Sequence, residues 1–222
     1  MEMNRDDTTM IPAKPFYLLR HGETEHNVSK ITAGGHTDSQ LTEWGRAQAH
    51  KLGDVIHKLE VKPSRIFHSP MTRARDTANF VNKRLNLLMH EVDDLREHLV
   101  GEWEGIPWED AFPKLKANIR PKGGENKDDF SMRIRKTVTD ILTGNEEDPV
   151  MIVAHGGTFF SLLHLYERDY EGHVDNCHLH YFEPYPAHEE FPWQIWQFDI
   201  EEENLRKSSA PFCGTTDITK RS

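Results

Sequence analysis

The sequence is organised around an apolar run that stops abruptly at polar residues, Phe16-Tyr17-Leu18-Leu19-Arg20-His21-Gly22. Such a run is typical of a buried strand that leads into a polar loop. Apolar residues then recur at helical spacing from Leu52 to Leu59, in a segment that begins with Thr42 as its expected N-cap. These residues predict a strand followed by a helix, with Arg20 and His21 at the carboxyl end of the strand.

The strand and helix pattern repeats along the chain. Strands are predicted at 65–68, 87–90 and 150–154, and helices at 74–85, at 130–141, at 158–165 and, interrupted by proline, up to about residue 120. Alternation of this kind predicts an α/β fold. We expect a three-layer sandwich with a mostly parallel central sheet covered by helices on both faces.

The length and the distribution of apolar residues indicate one domain. We expect a disordered leader at 1–14, a single domain at 15–200 and a weakly ordered tail at 201–222. Two late segments, 178–182 and 193–199, alternate well enough to be edge strands.

Three separate segments bring positive and imidazole side chains to one edge of the predicted sheet. Arg20-His21-Gly22, Ser69 to Arg73, and His155-Gly156-Gly157 each follow a predicted strand. Ligands of open parallel sheets bind beyond the carboxyl ends of the strands. The sequence therefore predicts a single anion site at this edge.

Arginines beside a neutral histidine suit phosphoryl transfer. The transferred group spreads negative charge over three oxygens, and planar guanidinium groups bind such oxygens bidentately. A neutral imidazole attacks phosphorus when its other nitrogen is held as a donor. The leaving alcohol needs a proton, and a bound phosphate dianion disfavours the charged form of a nearby carboxyl group. Glu97 is our candidate for this acid.

Five segments resemble, in order, the motifs of the histidine phosphatase (phosphoglycerate mutase-like) superfamily. Residues 20–27 resemble its RHGxTxxN motif, 41–49 its LTxxGxxQA helix start and 69–78 its SPLxRAxxTA segment. Glu97 with Gly-x-Trp-Glu-Gly at 101–105 resembles its LxE and GxWEG element, and 153–157 resembles its second-histidine motif. Met71 replaces the commoner leucine, and 124–126 stands where many relatives have Gly-Glu-Ser.

The resemblance implies a role for each matched residue. No metal and no cofactor is expected, because arginines supply the positive charge. The implied site consists of a phosphohistidine at His21, phosphate-binding residues Arg20, Asn27, Arg73, His155 and Gly156, and the proton donor Glu97.

Two of these assignments have competitors nearby in the sequence. Glu102 and Glu104 lie in the same loop as Glu97, so either is an alternative proton donor. Arg75 competes with Arg73 for the phosphate.

Further polar and aromatic residues lie close to the motifs. Asp38, Thr42 and Gln48 are expected to serve caps and turns rather than chemistry. For Trp103 and Trp108, a place at the mouth of a pocket and a structural place in the core or as surface cover are about equally compatible with the sequence.

The resemblance implies a phosphomonoester hydrolase that acts on a small phosphorylated metabolite. The stretch between Glu97 and His155 is shorter than in phosphoglycerate mutases, and the Gly-x-Trp-Glu-Gly sequence is more typical of phosphatases. A mutase-type phosphotransferase and a non-catalytic phosphoester-binding relative are the alternatives. Loops 32–38 and 101–127 are expected to set the substrate, which the sequence leaves open together with the oligomeric state.

The composition of the chain bears on its binding partners and on its cellular compartment. A formal net charge of -10 over 222 residues argues against a nucleic-acid binder, which needs a broad basic face. No membrane span and no secretory signal of the usual form is found, and the two cysteines, Cys177 and Cys213, fit free thiols in a cytoplasmic protein.

Fourteen histidines raise the question of a metal site. Strand alternation places His178 and His180 on one face, with His164 and His173 nearby in sequence. No carboxylate or cysteine cluster with ligand spacing accompanies them, so we expect no metal.

Overall fold

A computed structural model describes residues 10–146, 149–168, 174–185, 187 and 190–210. The strands are β1 (Phe16–Arg20), β2 (Ile66–His68), β3 (Met89–Glu91), β4 (Val150–Ala154), β5 (Leu179–Pro184), β6 (Trp193–Glu201) and β7 (Asn204–Ser209). The helices are α1 (Glu25–Ser29), α2 (Glu43–Val55), α3 (Thr72–Leu85), α4 (Trp108–Lys116), α5 (Lys127–Thr143) and α6 (Gly156–Leu165). Short 3-10 helices occur at Ile56–Lys58, Asp93–Leu95 and Gly101–Trp103.

The strands form one sheet in the order β3-β2-β4-β1-β5-β6-β7. The pairings from β3 to β1 are parallel, and those from β1 to β7 are antiparallel. The expected α/β class is confirmed, but a mostly parallel sheet is wrong for half of the pairings. β5, β6 and β7 follow one another along the chain and pair as antiparallel neighbours, so each strand returns beside the one before it. Because β5 pairs with β1 and β6, and β6 pairs with β5 and β7, both are interior strands and not the predicted edge strands.

Alternate residues of the central strands face two different helical layers. Phe16 and Leu18 of β1 belong to the core cluster that includes residues of α5 and α6. Tyr17 and Leu19 belong to the opposite cluster, which includes residues of α2 and α3. Helices therefore cover both faces of the sheet, as the apolar patterns predicted. None of the helices in these described ranges combines the length and apolar character needed to cross a membrane.

The boundaries of the packed region differ from those expected. Ile11 lies in the core, and Lys14 Nζ donates a hydrogen bond of 2.7 Å to the carbonyl of Asn145, so these two residues of the expected leader contact the domain. The expected tail begins with the end of β6 and with β7. The rest of the expected leader, 1–9, and of the tail, 211–222, lies outside the described residues.

β7 was missed because its turn lacks the usual residues. Glu202 and Glu203 connect β6 to β7, and Glu202 has a φ of 55°. Two-residue hairpin turns usually place Asn, Asp or Gly in such left-handed conformations. The strand itself is mostly exposed and shows little apolar alternation, so its pairing with β6 left almost no trace in the sequence.

The remaining elements agree with the predictions to within a few residues, with two differences. The side chain of Thr42 accepts a hydrogen bond from Gly45 N, as expected for the N-cap of α2. α1 was not predicted, although Thr24 and Asn27 form a capping box at its start. α4 ends at Lys116, earlier than residue 120, because Asn118 adopts a left-handed φ of 56°.

A buried imidazole in the sheet makes stability depend on pH. His180 of β5 is 2% exposed and lies against Phe159, with ring centroids 4.6 Å apart, and beside His178 at 4.5 Å. Burial, with a smaller contribution from His178, lowers the pKa of His180 from 6.5 to about 3. Between pH 6.5 and about pH 3 the unfolded chain therefore binds a proton at His180 that the native protein does not bind. The free energy of unfolding falls as the pH falls through this range.

We expect His180→Phe to flatten this dependence, because phenylalanine fills the apolar site without titrating. Between pH 7.5 and pH 5 the wild type should lose about 2 kcal/mol more unfolding free energy than the variant. Urea unfolding at several pH values measures the difference. Parallel pH profiles for the two proteins would contradict the assignment.

Candidate active site

The register of the sheet places the two motif histidines side by side. Arg20 is paired with Ala154 in the parallel β1 and β4, so His21 and His155 leave the sheet at neighbouring strand ends. Their ring centroids are 5.2 Å apart. His68 of β2 is paired with Val153, which brings Ser69 to the same edge. The three predicted segments therefore meet at the carboxyl edge of the parallel strands.

His21 is held in a defined tautomer. Its ring Nδ1 lies 2.8 Å from the carbonyl oxygen of Gly22, so Nδ1 carries the proton and donates it, and Nε2 retains a lone pair. Burial, followed by the positive charges of Arg73 and Arg20, lowers the pKa of His21 well below its ordinary value. The imidazole is therefore neutral even at pH values where an ordinary histidine is protonated.

Arg20 lies at the end of β1, and only part of its guanidinium group is hydrogen-bonded to the described residues. Its Nη1 donates to the carbonyl of Val174, while Nε is buried without a hydrogen-bond partner in the part of the chain that the structure describes. A β-carbon on Gly156, the first residue of α6, would come within 3.4 Å of that Nε. The positive end of α6 and the guanidinium group are thus adjacent, an arrangement that suits an anion.

Arg73 is the buried arginine of α3 and is 2% exposed. Its guanidinium donates to the carbonyls of Gly34 and Thr37, at 3.1 Å and 3.3 Å, and to Asp38 Oδ1 at 3.3 Å. Burial lowers its pKa, and the negative charges of Glu97 and Asp38 oppose this shift. The competing Arg75 is 45% exposed, so only Arg73 belongs to the buried cluster.

His155 has one ring nitrogen bound and one without a partner. Its Nε2 lies 2.8 Å from Ser69 Oγ, whereas Nδ1 is buried and makes no hydrogen bond to any described residue. Burial, then Arg73, His21 and Arg20, lowers the pKa of His155 well below its ordinary value. A neutral ring whose Nε2 accepts the Ser69 hydroxyl proton would present Nδ1–H as a donor.

The carboxyl group of Glu97 reaches the start of α6. Its Oε2 accepts a hydrogen bond of 3.2 Å from Gly157 N, and its Oε1 accepts one of 2.9 Å from His98 N. Glu97 is also the largest favourable charge acting on both Arg20 and Arg73. A β-carbon at position 157 would lie 2.0 Å from Glu97 Oε1, so only glycine allows this approach.

The two competing glutamates lie differently. Glu102 is exposed, and Glu104 Oε1 accepts a hydrogen bond of 3.0 Å from His36 N in the 32–38 loop. Within the described segments, neither of these carboxylates makes a hydrogen bond to α6. Of the three carboxylates, Glu97 is the one held against both α6 and the arginines.

Asn27 is oriented by its own helix and by a residue that the sequence analysis did not single out. Its Oδ1 accepts hydrogen bonds of 3.1 Å from Thr24 N and from Asn176 Nδ2. Its remaining polar group, the amide nitrogen, is a donor. Asn176 Nδ2 also lies 3.1 Å from the carbonyl of His21 and thereby links α1 to the end of β1.

The residues expected to serve caps and turns do so. Asp38 Oδ2 accepts a hydrogen bond of 2.6 Å from Thr72 N at the start of α3, in addition to its contact with Arg73. Gln48 Oε1 accepts one of 3.0 Å from Glu23 N.

The two tryptophans whose placement the sequence left open lie in different environments. Trp103 is 7% exposed and packs in a small cluster with Val100 and Ala111. Trp108 is 46% exposed and contacts Phe112.

Three polar residues that support the site were given no role from the sequence. Ser69 binds His155, Asn176 binds the backbone of His21, and Thr77 Oγ1 accepts a hydrogen bond of 3.0 Å from Gly22 N. Thr77 in turn donates to the carbonyl of Arg73 at 2.7 Å. Ser69 and Thr77 lie within the quoted motif at 69–78, which was the available signal, whereas Asn176 lies outside every motif.

The histidine side chains considered for metal binding do not gather at one site within the described residues. His178 and His180 share a face as predicted, but His164 Nε2 is bonded to Asp128 at 2.8 Å, and His173 lies outside the described residues. No group of three or more metal-ligating side chains occurs in the described parts of the chain. Cys177 is a free thiol, and Cys213 lies outside the described residues.

Comparisons with known proteins place the chain among phosphatases, and the family match spans the residues that carry the clustered histidines and arginines. A family model of the histidine phosphatase superfamily (branch 1) matches residues 16–193. Glucosyl-3-phosphoglycerate phosphatase of Mycobacterium tuberculosis is 32% identical over 167 residues, which are 68% of this chain and 74% of the relative. A broad-specificity phosphatase of Saccharomyces cerevisiae is 30% identical over 181 residues, 77% of this chain and 75% of the relative.

Solved structures show the same fold. The mycobacterial glucosyl-3-phosphoglycerate phosphatase in complex with VO3 superposes with a TM-score of 0.68 at 28% identity and covers 85% of this chain and 98% of the other. The chain therefore belongs to the histidine phosphatase superfamily. Among the activities considered from the sequence, these relatives support hydrolysis, and the protein is a phosphatase of this superfamily.

Proposed function

We propose that the protein hydrolyses phosphate monoesters of small metabolites in two steps, with a phosphohistidine formed on His21. The observation that carries this proposal is the hydrogen bond from His21 Nδ1 to the carbonyl of Gly22, which leaves Nε2 as a neutral nucleophile. Burial, followed by the charges of Arg73 and Arg20, lowers the pKa of this imidazole, and each arginine carries a charge suited to phosphate.

In the first step, His21 Nε2 forms a bond to phosphorus, and the bond between phosphorus and the ester oxygen breaks. The departing oxygen takes a proton from the carboxyl group of Glu97. The three phosphoryl oxygens are stabilised by Arg20, Arg73 and the Nδ1–H of His155. The amide nitrogen of Asn27 and the backbone N–H groups at the start of α6 are further donors to these oxygens.

In the second step, water attacks the phosphorus of the phosphohistidine. The bond between phosphorus and Nε2 breaks, the proton of the water passes to the Glu97 carboxylate, and inorganic phosphate leaves. The enzyme returns to its starting state, because Glu97 regains the proton that it gave to the alcohol.

A mutase-type phosphotransferase is the second candidate, since it would use the same first step and return the phosphoryl group to a substrate. The names of the relatives favour hydrolysis. A non-catalytic role is disfavoured by the presence of all the groups that both steps require. We further propose a cytoplasmic location, supported by a sequence with only two cysteines.

The names of the relatives indicate which classes of substrate to test. The relatives include a glucosyl-3-phosphoglycerate phosphatase and an adenosylcobalamin/α-ribazole phosphatase, so sugar phosphates, phosphoglycerates and nucleoside phosphates are the substrates to test first. The 32–38 loop, which binds Arg73, and the 101–127 segment are the places where specificity is expected.

Purified protein tests the proposal in a panel of these metabolites. We expect phosphate release to exceed interconversion of phosphoglycerates, and a brief incubation with 32P-labelled substrate to yield labelled protein that is stable in alkali and labile in acid. Faster interconversion than release would identify a mutase. Neither turnover nor labelling with any member of the panel would indicate a non-catalytic relative.

A further inference from the structure

The segment that carries Glu97 has little regular structure of its own. It runs from the 3-10 helix at Asp93–Leu95 to the 3-10 helix at Gly101–Trp103, and residues 96–100 lie in neither helix nor strand. Backbone groups in such a segment need hydrogen-bond partners from elsewhere if they are to hold one conformation.

Arg133 of α5 supplies partners for three of these backbone groups. Its Nη1 donates to the carbonyls of Asp94 and Arg96, at 2.7 Å and 3.0 Å, and its Nη2 donates to the carbonyl of Glu97 at 3.2 Å. The planar guanidinium fork therefore binds carbonyl groups on both sides of the Glu97 α-carbon.

Glu125 fixes Arg133 and binds the other end of the same segment. The Glu125 carboxylate accepts from Arg133 Nε and Nη2, with Oε2 3.2 Å from Nε. Its Oε1 also accepts from Leu99 N at 3.0 Å, and its own backbone N donates to the Leu99 carbonyl at 2.8 Å. The backbone carbonyl of Glu125 lies 2.8 Å from His98 Nε2.

Packing encloses this ion pair. Side chains of Arg133 and Glu125 are 16% and 11% exposed. Arg133 lies 5.0 Å above the ring of Phe130, and the same ring stacks on His98 at 4.7 Å. Ion pairs with low exposure and several shared hydrogen bonds impose geometry, because removal of either partner leaves an uncompensated buried charge.

We propose that Arg133 and Glu125 are positioning residues for the proton donor. They hold the backbone of residues 94–99 so that the Glu97 carboxyl group stays against Gly157 N and faces the departing oxygen. This inference rests on the proposed acid role of Glu97. Neither residue contacts the reacting atoms, and both act through Glu97.

Arg133→Lys tests the inference, because lysine keeps the charge but cannot bind several carbonyls and a carboxylate in one plane. We expect kcat/KM for 2-glycerol phosphate, an alkyl ester, to fall roughly 10- to 100-fold, and that for 4-nitrophenyl phosphate to fall by less than about 3-fold. The ratio of the two rates is unaffected by the fraction of folded protein, so the test remains valid in a destabilised variant. Glu125→Gln, which keeps the size and the acceptor for Leu99 N, should change the ratio in the same direction.

A double variant separates positioning from general structural support. If Arg133 acts through Glu97, then adding Arg133→Lys to Glu97→Gln should lower the alkyl rate by less than about 2-fold further. Arg206→Lys is the matched control, because Arg206 of β7 pairs with Glu201 at the surface, where the two side chains are 65% and 56% exposed. This control should leave the ratio unchanged.

Two outcomes would overturn the inference: equal losses of both substrates in Arg133→Lys, or a full additional loss in the Glu97→Gln background. Failure of the proposed function is distinguishable. If Glu97→Gln itself shows no preference between the two leaving groups, the acid assignment is wrong. If Glu97→Gln shows the preference and Arg133→Lys does not, only the positioning role fails.

Discussion

Replacement of His21 by alanine is expected to lower the hydrolysis of 4-nitrophenyl phosphate by about four orders of magnitude or more. The variant lacks the nitrogen that we propose forms the covalent intermediate, and the Nε2 of neighbouring His155 is engaged with Ser69. The fold should be retained, because His21 follows β1 and is absent from both large apolar clusters. Phosphate release and acid-labile labelling measure the effect.

An exposed histidine provides the control for this variant. His57 lies in the 3-10 helix after α2, and its side chain is exposed. His57→Ala should keep full activity and full labelling. Retained activity or retained label in His21→Ala would exclude His21 as the nucleophile.

The second large effect is expected for Glu97→Gln, and its size should depend on the leaving group. An alkoxide leaves poorly without a proton, so we expect a loss of roughly 10²- to 10⁴-fold with 2-glycerol phosphate. A nitrophenolate needs little protonation, and the loss with 4-nitrophenyl phosphate should stay below about 10-fold in the step that forms the phosphohistidine. Pre-steady-state release of nitrophenol isolates that step.

The two other glutamates of the loop serve as matched controls. Glu102→Gln and Glu104→Gln should leave the ratio of alkyl to aryl hydrolysis unchanged, because neither carboxylate is held against α6. Equal losses of both substrates in Glu97→Gln, together with a leaving-group effect in one of the controls, would move the acid role to that residue.

The parallel half of the fold was predictable because its signals are local. The apolar runs of β1 and β4 and the helical spacing of α2 and α5 are visible in a single sequence, and they fix which residues stand at the carboxyl edge. Strand direction in the other half was not predictable, since periodicity is the same for parallel and antiparallel strands. The turn at Glu202 also lacks the residues that normally reveal a hairpin.

The candidate site was predictable where the chemistry itself selects the residue type. Imidazole, guanidinium and carboxyl groups at strand ends stand out, and the structure brings His21, Arg20, Arg73, His155 and Glu97 together. Asn176 and Arg133 were not predictable, because they act through backbone groups far away in the sequence. Nothing in the neighbourhood of either residue indicates which carbonyl it will reach.

The contacts of Arg73 constrain how substrate preference can diverge in this protein. Its guanidinium donates hydrogen bonds to the backbone carbonyls of Gly34 and Thr37, in a loop that borders the candidate site. Insertions or deletions in that loop would displace the arginine that we propose binds the phosphate, so we expect such variants to lose turnover together with any change of substrate. Substitutions at the exposed side chains of α4, none of which hydrogen-bonds to Arg73, leave these contacts of the guanidinium intact. Evolutionary and laboratory searches for altered selectivity should therefore succeed more often with substitutions in the 101–127 segment than with insertions or deletions in the 32–38 loop.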